Sequence, residues 1–348
     1  MRVVIVGGGM AGLVLTHALV ARGVTPIVLE RMPAGAPAPG PILLPFLAYD
    51  ALRDVGRYDE IHDAGWEIGP QEGQPPVAIA VARDDVLAAL RRDAEVEHLT
   101  EVVALLRAPD PGAPGGERVV GVRAKGPDGE RDIPADLVVG ADGSHSPVRA
   151  MAGIEAEVRL SPGAGMSFTS PVVIDRSFAM AYQSNGRQVG LVGWPGGSAG
   201  WWQVDRVEGG EPAARAPGVE AFKRSFTRLL PVAAAALEGV TSIEQVGYRE
   251  MTEVRCATWW TPGVVLIGEA AHAIDPEAGV GAGLGLGDAL ALAVAVSGAE
   301  DPDQACRDYE FWRRPAVAPY EAIGAAGARI VPPGSGEKPS AERWPPVD

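Results

Sequence analysis

The sequence predicts an α/β protein: a Rossmann-like dinucleotide-binding domain with an inserted antiparallel β-sheet. Three observations carry this. A complete βαβ nucleotide-binding unit fills residues 3–31. Over residues 151–250 helical period gives way to short β-like runs, and from Val264 the nucleotide-domain pattern resumes. The expected division is 1–65, 79–150 and 251–300 for the dinucleotide domain, 66–78 and 151–250 for a substrate-binding sheet domain, and 301–348 for a C-terminal helix and tail.

The first unit opens with Val3–Val6, an all-apolar run suited to a strand buried on both faces. Gly7-x-Gly9-x-x-Gly12 follows at once. Gly7 makes the tight turn, Gly9 lets a pyrophosphate approach the backbone, and Gly12 lets helix and strand pack closely. Leu13–Arg22 reads as a helix whose N-terminus offers free N–H groups and partial positive charge to phosphates. Gly23 ends it, and Pro26–Leu29 supplies the second strand. Glu30 closes that strand 18 residues after Gly12, placed to accept from a ribose diol. An acid there fits FAD or NAD better than NADP.

Residues 33–45 hold prolines at 33, 37, 39, 41 and 45, which predicts an irregular stretch. Phe46–Val55 reads as a short helix stopped by Gly56, and 65–78 as loop and strand. Asp84 or Asp85 is placed to cap the helix carrying Val86, Leu87 and Leu90. Strands follow at 102–106 and 119–123, then a hairpin turn at 127–129 and a buried strand at 135–141. The inserted runs are 166–175, 178–183, 188–194 and 200–205, then a helical patch at 219–237. A helix is expected from near Leu284 through Ser297 and another over 306–329, with 332–348 as a tail.

A net charge of −15 and a pI near 4.8 argue against nucleic acid or an anionic membrane as partner. Two cysteines, Cys256 and Cys306, make neither a disulfide framework nor a metal set, so a reducing cytoplasm is expected and no metal. The longest apolar run, 289–296, is too short to span a bilayer, and the N-terminal run is no signal peptide. A monomer or homodimer acting on a small molecule is the expectation.

Two further segments, 136–149 (DLVVGADGSHSPVR) and 263–283 (GVVLIGEAAHAIDPEAGVGAG), stand in order behind the first glycine motif. Together the three resemble the motifs of the group A flavoprotein monooxygenases, the family of para-hydroxybenzoate hydroxylase, over nearly the whole chain. The resemblance implies FAD bound through Gly7, Gly9, Met10, Ala11, Gly12, Glu30, Arg31, Arg83, Asp142, Gly143, Arg149, Gly268, Glu269, Pro276, Gly279, Gly281 and Ala282. Pro276 would lie near the ring. Asp142 is placed to hold a cofactor hydroxyl or fix its loop, and Arg149 to brace it. Glu269 stands where the family has the aspartate that binds the ribityl chain. Val280 stands where glutamine is common, Glu277 where an apolar residue is, and Gly287 where an acid is. No arginine occurs in 35–41, ahead of the Gly-x-Ile segment at 40–42.

By resemblance, NADPH or NADH is a transient reductant binding near Arg83 and Arg149, and O₂ is the co-substrate. The implied activity is hydroxylation or epoxidation through a C4a-hydroperoxyflavin, in bacterial secondary metabolism. A reductase or dehydrogenase, or a non-redox flavin-binding cyclase or binding protein, are the alternatives on this scaffold. The inserted strands are aromatic and poor in charge, which points to a hydrophobic aromatic or polycyclic substrate. Met180, Tyr182, Trp194 and Trp202 are its candidate contacts, with Phe168 and Trp201 nearby. Trp201 and Trp202 fall on opposite faces, so at most one faces the pocket.

Overall fold

The computed structural model describes residues 1–38, 40–69, 76–113, 115–174, 178–183, 187–274 and 279–325. Among them a central, mainly parallel sheet has the order β16-β17-β10-β1-β2-β6. Its strands are β1 (Val3–Val6), β2 (Ile27–Leu29), β6 (Val96–Glu97), β10 (Leu137–Gly140), β17 (Val264–Leu266) and the antiparallel edge β16 (Trp260–Thr261). β1, β10 and β17 are apolar and buried throughout, as strands covered on both faces must be.

Helix α1 (Met10–Val20) packs against α9 (Gly281–Gly298). Small residues allow the approach: a Cβ on Gly285 would lie 3.4 Å from the Gly268 Cα and 3.7 Å from the Ala11 Cβ. By length and composition α9 is apolar enough to cross a membrane, with a mean hydropathy of 1.5; here 56% of it is buried in the core. Behind it runs α10 (Pro302–Ala325), whose Tyr309 hydroxyl donates to the Leu266 carbonyl at 3.1 Å. The expected helix over 306–329 therefore starts earlier. Residues beyond 325, including the expected tail, lie outside the described residues.

A small sheet, β3 (Pro41–Pro45), β5 (Ala78–Ala82) and β4 (Trp66–Ile68), corrects one expectation. Residues 41–45 are not irregular but pair antiparallel with β5. Their prolines are tolerated because β3 is an edge strand, where a missing N–H breaks no ladder. Between β3 and β4 lie a 3₁₀ turn at Phe46–Ala48, α2 (Tyr49–Asp54) and α3 (Tyr58–Asp63). Helix α4 (Arg83–Arg91) begins at Arg83, two residues earlier than expected, without a side-chain cap. Asp84 instead accepts from the Ala38 amide at 2.8 Å, tying the 33–40 loop to this helix. A third sheet is the meander β7 (Glu101–Pro109), β8 (Glu117–Gly126) and β9 (Gly129–Pro134), turned at Gly129 as expected. The short helix α5 (Pro147–Ala152) follows β10.

The inserted region forms an antiparallel sheet in the order β12-β13-β14-β11-β15-β18. Its strands are β11 (Ala156–Ser170), β12 (Phe178–Tyr182), β13 (Gln188–Trp194), β14 (Gly197–Asp205), β15 (Val246–Cys256) and β18 (His272–Ala273). Helices α6 (Gly210–Arg215), α7 (Val219–Leu229) and α8 (Ala234–Glu238) lie between β14 and β15. Phe222 and Phe226 of α7 close one face of the sheet against Phe168 and Trp202. On the other face, Val192, Trp194 and Ala199 pack against Ile68 and Ala80 of the small sheet. Cys256 and Cys306 are free and buried, and burial pushes the Cys256 thiol up to about 11 and the Cys306 thiol higher still.

Candidate cofactor and substrate site

The first turn is shaped by sterics alone. Gly7 has φ +116°, and a Cβ there would fall 2.3 Å from the Ala141 carbonyl oxygen; one on Gly12 would fall 2.0 Å from the Gly7 oxygen. At Gly9, by contrast, nothing lies within 4 Å, so the turn is closed to side chains inside and open outside. The first intrahelical bond of α1 is Leu13 N to Gly9 O at 2.9 Å. That leaves the amides of Met10, Ala11 and Gly12 as helix-start donors, with no side-chain cap and no acid in the first turn. Glu30 accepts from the Gly8 amide at 2.7 Å with one oxygen and from the Met32 amide at 2.8 Å with the other. It fixes the loop while each oxygen keeps a lone pair. Arg31 and Arg83 are exposed; the Arg83 amide donates to Gly40 O at 2.9 Å.

The second motif is a brace. Asp142 fixes its loop: the side chain accepts from the Ser146 hydroxyl at 2.5 Å and the Val148 amide at 3.0 Å. Burial raises its pKa above the usual carboxylate value, against these bonds. Gly143, at φ +85°, makes the turn that follows. Arg149 donates to Ser144 O and to Ala270 O, both at 2.8 Å, and is 9% exposed. Its guanidinium is turned inward, tying the loop to the Ala270 carbonyl rather than standing at the surface.

The third motif brings Gly268, at φ +58°, to the end of β17. Glu269 next to it is exposed at the strand end, where parallel sheets bind ligands. Its neighbour's amide, Gly268 N, donates to Asp288 at 2.9 Å. Asp288 is wholly buried and also receives His272 Nε2 at 2.6 Å and Arg313 Nε at 2.8 Å. Burial alone would raise the Asp288 pKa, but His272 and Arg313 outweigh it and hold the carboxyl below the usual range. A Cβ on Gly287 would lie 2.9 Å from Arg313 Nη2, so glycine there makes room for the guanidinium. Arg313 also donates to Leu284 O at 3.2 Å.

Helix α9 starts at Gly281 and Ala282, again with no side-chain cap and no acid in its first turn. Nothing lies within 4 Å of a Cβ on Gly281, and Gly279 has φ +65°. Val280 is buried at the cap position. Among the described helices of eight or more residues, only α1 and α9 lack both a cap and an early acid; α4, α7 and α10 each carry an acid there. Two uncapped helix starts and three glycine turns at one end of the parallel sheet fit a dinucleotide with its phosphates and an anionic ring. Pro276 and Glu277 lie outside the described residues.

Of the candidate substrate contacts, the structure brings Met180, Tyr182 and Trp194 to one sheet face, with Trp201 and Phe178. Trp202 faces the other way, into the aromatic cluster of Phe222 and Phe226. The tryptophan on the open face is Trp201, whose indole lies over Gly190, where a Cβ would come within 2.1 Å of it. Sequence reasoning missed Asp288, His272 and Arg313 because their partners are far along the chain. Arg249 lies outside the aromatic runs that end at residue 205, but β15 brings it to the same face, opposite Gly165.

Comparison with known proteins accords with this geometry. The family model described as FAD binding domain matches residues 1–318. The aurachin C monooxygenase/isomerase of Stigmatella aurantiaca is 28% identical, over 80% of this chain and 76% of that protein. PqsL, a probable FAD-dependent monooxygenase from Pseudomonas aeruginosa, is similar in structure with a TM-score of 0.75 and 21% identity, covering 94% of this chain and 95% of its own. The tetrameric form of 2-methyl-3-hydroxypyridine-5-carboxylic acid oxygenase gives 0.74 and 20%, covering 94% and 90%.

Proposed function

The chain belongs to the FAD binding domain family and is an FAD-dependent monooxygenase, and from that premise we propose that it consumes NADH or NADPH and O₂ to hydroxylate or epoxidise a hydrophobic aromatic or polycyclic small molecule. The observation that carries the reading is the convergence of two bare helix starts beside an open, aromatic sheet face. FAD, when bound, supplies the redox chemistry and the activation of oxygen. The chain's own residues bind, orient and exclude water. The amides of Met10, Ala11 and Gly12 would take the pyrophosphate and Glu30 the ribose. Glu269 would reach the ribityl chain, its extra methylene absorbed by its exposed position. The sheet face of Met180, Tyr182 and Trp201 would receive the substrate's ring.

Relatives support the substrate class. Their names or structure titles include aurachin C, 2-methyl-3-hydroxypyridine-5-carboxylic acid and 2-aminobenzoylacetate, the last two with an aromatic ring. A role in secondary metabolism and a cytoplasmic location belong to the same proposal. The test mixes holoenzyme with NADH and NADPH, with and without these three compounds, under ¹⁸O₂. Label in a product and faster reductant oxidation with substrate support it. Turnover that proceeds equally well without O₂ overturns it.

A further inference from the structure

We propose that two copies of this chain pair through the first part of β11, Ala156 to Leu160, and that this edge makes the enzyme a two-fold dimer. The strand has different neighbours along its length. From Gly163 to Ser170 it lies between β14 and β15, but from Ala156 to Leu160 it pairs with β15 alone. Among the described residues no strand lies on its other side there, so about 17 Å of sheet edge faces outward with its backbone donors and acceptors. Residues 157–160 are all exposed, Val158 at 56% and Leu160 at 51%. No proline interrupts the segment. An edge of this kind is a template for another strand unless its side chains repel one. The signs of its charges therefore decide what can dock.

Glu157 and Arg159 share one face, where Arg159 Nε donates to Glu157 Oε1 at 2.7 Å. Across the ladder they stand opposite Arg255 and Glu253 of β15, so signs alternate both along the strands and between them. An antiparallel copy placed with Val158 opposite Val158 sets the partner's Arg159 against Glu157 and the partner's Glu157 against Arg159. One row then reads Arg255, Glu157, Arg159, Glu253 across the axis, and the next reads the reverse. The alternation continues without a break. On the other face Val254 and Val158 meet their own counterparts in one apolar row, and Leu160 meets Ala156. A slip of two residues would set Glu157 or Arg159 against itself, and a slip of one would set each charge against an apolar side chain. The charges thus admit one register and one partner, a second copy. Each residue meets its counterpart, the edge is used up, and assembly through it stops at two. Because β11 runs on to Met166 and Phe168, pairing joins the antiparallel sheets of both copies.

The experiment is sedimentation velocity of the full-length holoenzyme over a micromolar concentration series. The wild type should sediment as a dimer that dissociates on dilution. R159E and E157R should each weaken pairing by about tenfold or more while keeping FAD absorbance and melting temperature. Mixed together, these two variants should form a dimer again, because the acidic edge of one faces the basic edge of the other. Register is read separately by mild oxidation. V158C should give a disulfide-linked dimer, its Cα atoms about 4.5–5.5 Å apart across the axis. L160C should not, because the two positions lie about 13 Å apart along the strands. Cys256 and Cys306 are buried and do not compete. A wild type that stays monomeric, a dimer indifferent to R159E, failure of the two charge variants to pair, or cross-linking of L160C in place of V158C overturns the proposal.

Discussion

The first and third glycine turns stand side by side at the end of one sheet, and they are held by different physics. The Gly7–Gly12 turn is set by backbone contacts too close for any side chain, with Glu30 tying down two amides. The Gly268 turn hangs from one buried carboxylate, which a histidine and an arginine from separate elements keep ionised. Local sterics give a cradle whose shape depends on nearby residues alone. A buried charge cluster gives one whose shape depends on whether a distant helix is docked.

Breaking the cluster should have the largest effect. Asp288→Ala leaves Arg313 without its counter-charge and His272 without its hydrogen-bond partner, and we expect a loss of about 3–5 kcal/mol in unfolding free energy. Urea denaturation of apoprotein measures it, and a loss under 1 kcal/mol would show that the cluster is not what holds this turn.

The steric cradle is probed at its acid. Glu30→Ala should weaken FAD by about 1.5–3 kcal/mol, since a charge-assisted bond and two loop anchors go together. Fluorescence titration of apoprotein with FAD reads this directly, and unchanged affinity would remove Glu30 from the ribose site.

Acid separates the two turns without mutation. Asp288 has a folded pKa below its unfolded value near 4, so its contribution is complete above that pH and is lost as pH falls through about 2. The lost stability, on the order of 2 kcal/mol, should be absent from the pH dependence of an Asp288→Asn variant compared over the same range.

The smallest effect belongs to the space for Arg313. Gly287→Ala pushes on the guanidinium at 2.9 Å, and about 1 kcal/mol should be lost. A thermal melt checks it, and Arg313→Gln in the same background should add less than it does alone, because both changes act on one contact.

The same contrast explains what could be read from the residues in advance. Gly7, Gly9 and Gly12 and their flanking strands are legible because every partner lies within one βαβ unit. Asp142 and Arg149 are placed in one loop by resemblance, but the partners that tie them down, Ser146, Val148 and the Ala270 carbonyl, are seen only in the coordinates. Asp288 and Arg313 are 25 residues apart on two helices, and no local period links them. Pro41–Pro45 was misread because proline excludes helix but not an edge strand. Trp201 and Trp202 show the limit of alternation: it separates two faces and cannot say which one a helix will cover.

The state of the two sulfhydryls has a consequence for how such an enzyme ages. A flavoenzyme whose reduced form meets oxygen without substrate releases peroxide, and peroxide attacks thiolates far faster than thiols. Cys256 and Cys306 are buried and held protonated at any physiological pH. Sulfenic acid formation should therefore be negligible in the folded protein. Among the thioethers, the one whose oxidation would touch the site is the half-buried Met180 on the open sheet face, where sulfoxide formation would place a polar oxygen on the shelf meant for a ring.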